Sequence, residues 1–249
     1  MNGERRLHIH PDAAALAGAV AARCADLARA AIAAHGGFHI ALAGGSTPRS
    51  LYRLLAADYR DRVDWPCVHV YFGDERCVAP DHPDSNYGMA RAALLQHVAI
   101  PPAQIHRIEA EDPDPHAAAR RYAELLHDRL PRSHGIGRFD LLLLGLGPDG
   151  HIASLFPDTA ILDERRAWTA AVHVDKLQAW RISLTYPVID AARHVALLVA
   201  GDNKAAIVRE VIGDPAAAPR YPAGRLQPQG ELEWFIDRAA ARLLPGYGT

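Results

Sequence analysis

The sequence predicts an α/β fold: a mainly parallel sheet with helices on both faces. Short apolar runs alternate with helix-length segments along the chain, as strands joined by helical crossovers do. Residues 141–144 are leucine at every position rather than at every second one, which marks a central strand covered on both faces. At 249 residues and 49% hydrophobic, the chain can bury one large core, so one domain spanning 1–249 is expected.

The elements follow in order. "RLHIH" opens as a strand whose alternating His8 and His10 read as surface residues, and residues 12–34 read as a helix. "FHIALAG" is a strand, followed by Gly44, Gly45, Ser46, Thr47 and Pro48 and then a helical run to residue 57 with Leu51, Leu54 and Leu55 on one face. Thr47 reads as the N-cap and Pro48 as the first helical residue. "VHVYFGD" is the next strand, with helices expected over 86–97 and 115–130. "FDLLLLGLG", "TAAVHV", "RISLTY" and "HVALLVA" complete the strands, and the proline-rich pieces 97–115 and 213–230 are connections.

Bulk properties exclude several classes. A net charge of −2 with 27 basic and 29 acidic residues gives no field to attract nucleic acid or an anionic membrane. No run of about 18 apolar residues and no signal-peptide pattern occurs, and three cysteines in no paired spacing fit a reducing compartment. A cytoplasmic protein, a monomer or small homo-oligomer, is expected. None of the 14 histidines stands in H-E-x-x-H and there is no C-x-x-C, so no metal is expected; the G-x-S-x-G elbow of serine hydrolases is absent too.

In open parallel sheets ligands bind beyond the carboxyl ends of the strands. Four such ends carry glycine and polar residues: 43–48, 73–76, 145–151 and 201–204. Gly44 and Gly45, with the hydroxyls of Ser46 and Thr47 at a helix start, form either an anion cradle or an ordinary capped turn. Gly145, Gly147 and Gly150 have the G-x-G-x-x-G spacing, but Pro157 allows at most two helical turns afterwards and Pro148 lacks an N–H. A dinucleotide site needs a long helix there. The loop instead presents Asp149 and His151, either as a general base or as a residue capping its own short helix. Arg76, beside Asp74, is either a bidentate anion partner or the partner of a loop acid. Arg181 and Lys204 add two more cations at element ends, and their recurrence on one rim favours an anionic substrate.

The motifs "LAGGSTP", "GDERCVAPDHPDSNYGMARAALL", "GLGPDGHIASLFP", "RISLTYPVI", the 201–204 segment and "GRLQPQGELEWFIDRAA" occur in order over about residues 38–242. Together they resemble the 6-phosphogluconolactonase family, whose fold is related to that of glucosamine-6-phosphate deaminase. The resemblance implies hydrolysis of 6-phospho-D-glucono-1,5-lactone, the second step of the oxidative pentose phosphate pathway, with no cofactor. It implies His151 as the base activating water, and Asp149 either orienting the imidazole or closing the loop. The phosphate falls to the cradle of Gly44, Gly45, Ser46 and Thr47 and to one or more of Arg76, Arg181 and Lys204, with Asp74 among the substrate-binding residues. The oxyanion donors are either glycine-loop N–H groups or a nearby cation.

One position departs from the lactonase pattern: Ile152 stands where Thr is usual and where deaminases have Ile. Deaminases resemble "DGHIAFNEP" here, and their glutamate falls on Phe156, which cannot move a proton. A deaminase and a non-catalytic sugar-phosphate sensor are the alternatives.

Overall fold

The computed structural model describes residues 5–133 and 136–247; the ends of the 1–249 span expected as one domain, with residues 134–135, lie outside these. Six strands form a sheet in the order β3-β2-β7-β10-β11-β1: β1 (Arg5–His10), β2 (Phe38–Leu42), β3 (Val68–Phe72), β7 (Leu141–Gly145), β10 (His194–Val199) and β11 (Glu231–Asp237). Every pairing in it is parallel. Consecutive residues of β2, β7 and β10 are buried although they point to opposite faces, so both faces are covered.

Local sequence explains the main helices. In α1 (Ala13–His35) the Asp12 carboxylate accepts from the Ala15 N–H at 2.8 Å, and Gly36 ends the helix at φ 84°, a conformation that favours glycine. Leu16, Val20, Cys24, Leu27 and Ala31 recur on its buried side. In α4 (Pro115–Arg129) Asp114 caps two N–H groups and Pro115 occupies the first turn. Residues 86–95 form the short α3 (Asn86–Ala90), which continues into one π-helical turn, Arg91–Leu95.

Three expectations are corrected. α2 (Ser46–Asp58) begins two residues before the expected start: Gly45 is the N-cap at φ 105°, with no side-chain cap, and Thr47 lies inside the first turn. β8 (Thr169–Val174) and β9 (Ala179–Leu184) leave the parallel sheet and, with β4 (Asp74–Arg76), make a three-stranded antiparallel sheet. The connection between β8 and β9 is too short for a parallel crossover, and Gln178 at φ 47° turns the chain back. β11 was not expected as a strand, because charged Glu231 and Glu233 interrupt its apolar run; Arg23 of α1 binds both carboxylates, at 2.8 and 2.9 Å. β5 (Arg132–Ser133) and β6 (Ile136–Gly137) form a minimal ribbon beside these sheets.

The chain runs outward from β2 to β3 and returns to β7 on the other side of β2. This reversal opens a crevice at the carboxyl ends of β2, β3 and β7.

Candidate active site

A cleft lies at that reversal. Its walls come from the four strand ends: Ala43, Gly44 and Gly45 after β2; Asp74 and Arg76 after β3; Gly145, Leu146, Gly147, Pro148, His151 and Ala153 after β7; and Lys204 after β10. Of the residues singled out from the sequence, Gly44, Gly45, Asp74, Arg76, His151 and Lys204 meet here. Asp149 stands behind His151. Among the described residues lining the cleft, Ser46, Thr47 and Arg181 do not appear; Ser46 and Thr47 lie within the first turn of α2.

The β7 loop is held from within. The Gly147 N–H donates to the His151 carbonyl at 2.8 Å, and the Gly150 N–H to the Gly147 carbonyl at 3.0 Å. No helix follows; Ile152 and Leu155 pair as an isolated bridge, so the dinucleotide arrangement is structurally absent here. A Cβ on Gly147 would overlap the His151 ring, which is why the loop needs glycine there. Ala153 adopts φ 47°, a strained conformation for a non-glycine residue, at the cleft wall. Its neighbour Ser154 fixes it, with its N–H donating to Ser183 Oγ at 3.1 Å and its hydroxyl to Asp74 Oδ2 at 2.6 Å.

His151 Nδ1 and Asp149 Oδ1 are 2.5 Å apart. Burial alone would raise the Asp149 carboxyl, but hydrogen bonds from His151 and Lys176 outweigh it and hold the group well below the usual carboxylate range. The ionised carboxylate accepts the Nδ1 proton, leaving Nε2 as the lone-pair nitrogen. Phe156 stacks on the imidazole with centroids 4.1 Å apart.

Asp74 lines the cleft, and its buried neighbour Glu75 lies outside the lining. Asn86 Nδ2 donates to Asp74 Oδ1 at 3.1 Å, while Glu75 accepts the Arg76, Asn86 and Tyr87 N–H groups at 2.7–2.8 Å and the Ser85 hydroxyl at 3.1 Å. Burial raises the Glu75 carboxyl despite those donors. Both acids are thus engaged in placing the 85–88 segment, whose Asn86 side chain lies against Gly44.

Arg76 and Arg181 are register partners on β4 and β9. Arg76 donates to the Asp84 carbonyl at 2.6 Å, yet the buried Nε of each arginine has no partner among the described residues. Burial and then the Arg76 charge lower the Arg181 guanidinium, and burial lowers the Lys204 ammonium, opposed by Asp149. Unpaired buried donors beside clustered cations suit an anion. Among the described residues one group, His194, Glu231 and Glu233, has metal-ligand spacing. The Arg23 guanidinium already bridges its carboxylates.

The family model for glucosamine-6-phosphate isomerases/6-phosphogluconolactonase matches residues 11–234. The chain belongs to this family. It is 40% identical over 208 residues to a Haemophilus influenzae protein named 6-phosphogluconolactonase, covering 83% of this chain and 87% of that one. A protein of the same name from Nostoc sp. is 43% identical over 211 residues, covering 84% and 86%. The solved 6-phosphogluconolactonase from Trypanosoma brucei superposes with a TM-score of 0.81 at 28% identity, covering 96% of this chain and 98% of its own.

Within the family, Ile152 is explained by packing: it is wholly buried in the core and does not face the cleft. Neither Lys176 nor the stacking role of Phe156 is visible in the sequence. Lys176 sits in the β8–β9 turn and belongs to no motif, and the sequence marks Phe156 only as the position of the deaminase glutamate. Among the described residues no helix is long and apolar enough to cross a membrane.

Proposed function

We propose that this chain hydrolyses 6-phospho-D-glucono-1,5-lactone to 6-phospho-D-gluconate. What carries the reading is a carboxylate-held imidazole facing the same cleft as Arg76 and Lys204, with Phe156 stacked on the ring. A deaminase of this family would need a proton-carrying side chain at the Phe156 position.

In the reaction, neutral His151 takes a proton at Nε2 from a water molecule as that water adds to the lactone carbonyl. Asp149 stabilises the imidazolium that forms. The tetrahedral adduct collapses, the ring C–O bond breaks, and His151 returns its proton to the departing ring oxygen. Because the Gly147 and Gly150 N–H groups are used inside the loop, the Gly44–Gly45 backbone, Arg76 and Lys204 are left to serve the two negative ends of the substrate. Arg181 acts through its neighbour Arg76. Phosphate contacts at the remote end position the reacting carbon. The setting is cytoplasmic, in keeping with three free cysteines.

The test is purified protein assayed for lactone loss above spontaneous hydrolysis and for ammonia release from glucosamine 6-phosphate. His151→Ala lowers lactone turnover by about two to four powers of ten. Near-parent turnover in that variant overturns the base; ammonia release in place of lactone loss overturns the reaction; neither activity, with sugar phosphate still bound, leaves a sensor.

A further inference from the structure

The Asp149 carboxylate is divided between two partners. Oδ1 faces His151 Nδ1, and Oδ2 accepts from the Lys176 ammonium, which arrives from the turn Asp175–Leu177 between β8 and β9. Lys176 Nζ also lies 4.7 Å from the centroid of the Phe156 ring, the ring that stacks on His151. One cation therefore touches both groups that fix the imidazole. Lys176 itself does not line the cleft that holds His151, Arg76 and Lys204, and instead faces the adjoining groove with Phe156, His173 and Trp180.

We propose that Lys176 is a positioning residue for the reaction, locking the Asp149 carboxylate so that His151 is held in the tautomer and orientation a base requires. This rests on the reading of His151 as that base. The physical case has two parts. A carboxylate anchored at one oxygen can turn about its Cβ–Cγ bond, whereas one held at both oxygens cannot, so the imidazole inherits a fixed direction. In addition, Asp149 by itself would favour the protonated imidazolium, and the adjacent ammonium offsets that charge. Among the described residues, the other charged or titratable groups lining the cleft and the adjoining groove are Arg76 and Asp74 after β3, Lys204 after β10, His116 of α4, Asp158 after the β7 loop, and His173 and Asp175 on the β8–β9 hairpin. His173 and Asp175 pair with each other at 2.7 Å, and the Asp149 charge raises the Lys204 ammonium against its burial.

The experiment measures kcat, KM and the pH profile of kcat/KM with 6-phosphogluconolactone for the parent, Lys176→Met, Lys176→Gln, Lys176→Arg and His151→Ala. Because Lys176 is half exposed in a turn, the variants fold, as their thermal unfolding verifies. In Met and Gln, kcat falls about tenfold while KM stays within about twofold, since the interaction lost orients the base and not the substrate. The acid limb of the profile moves to higher pH, because the imidazolium now faces an uncompensated carboxylate, and Arg restores most of kcat. Parent-like kcat and profile in the Met and Gln variants, or a raised KM with unchanged kcat, overturns the role of Lys176. If instead His151→Ala retains activity, the base reading fails first, and the two failures are told apart by which variant stays active.

Discussion

At the scale of single residues, the glycines of the β7 loop do different work. A Cβ on Gly147 would run into the His151 imidazole and the Asp149 carboxylate, while one on Gly145 meets nothing within 4 Å. Neither glycine has a positive φ, so alanine costs little in backbone strain at either position and the contrast isolates the side-chain effect. Gly147→Ala therefore folds but displaces the imidazole proposed as the base, and kcat falls by about a hundredfold, the usual cost of an ångström of misplacement. Gly145→Ala leaves kcat near the parent value, any effect falling on KM because Gly145 lines the cleft. Steady-state kinetics with melting curves check both, and equal kcat losses would refute the steric account. His151, Arg76 and Lys204 were legible in the sequence because each lies in the segment after an apolar strand run, following β7, β3 and β10. Lys176 was not: its partner lies 27 positions away, and only the hairpin brings them together.

Among the elements, the entering ends of β2 and β3 carry a stack of imidazoles away from the cleft. His39 and His69 lie 4.6 Å apart and parallel, and His69 and His106 are 5.8 Å apart. His39 Nδ1 meets the Tyr71 hydroxyl at 3.1 Å, while His35 pairs with Asp140 at 3.0 Å. Burial, then the neighbouring imidazoles, push His39 down to about 3; burial, then His69 and Arg129, push His106 down to about 4; and burial lowers His69 as well. In the unfolded chain these groups take up protons near 6.5, but in the folded protein His106 waits until about 4 and His39 until about 3. The unfolded state thus binds more protons below pH 6.5, and stability falls with pH through that window by about 1.4 kcal/mol per unit for each neutral histidine. Urea midpoints measured between about pH 7.5 and 4.5 should show this slope, and His106→Gln should remove one proton's share of it. An unchanged slope would show that His106 is not a contributor. Strand identity here was legible from apolar runs; the strand β11 was not, because its glutamates find their cationic partners, Arg23 of α1 and Arg6 of β1, only across more than 200 positions of chain. The antiparallel sheet of β4, β8 and β9 was equally hidden, since partner choice is decided by connection length and not by the composition of a strand.

Taken as a whole molecule, a net charge of −2 opposes a dianionic sugar phosphate, and the parallel sheet supplies the remedy by directing four strand ends to one rim. There Arg76 and Lys204 line the cleft with Arg181 behind them, Asp149 is matched by Lys176, and Asp74 is tied to Ser154 and Asn86. The local field and the net charge therefore have opposite signs, and salt separates them. If net charge governed encounter, screening would raise kcat/KM; if the cleft governs it, screening lowers kcat/KM, because the relevant distances become comparable with the Debye length of about 8 Å at physiological ionic strength. We expect kcat/KM for the phosphorylated lactone to fall severalfold between about 20 and about 300 mM salt. In Arg76→Gln the value should start lower and the dependence flatten, and an unphosphorylated lactone should show neither effect. A rise with salt in the parent protein would mean that the cations on this rim do not control capture of the substrate, and the assignment of Arg76 to the phosphate would fall with it.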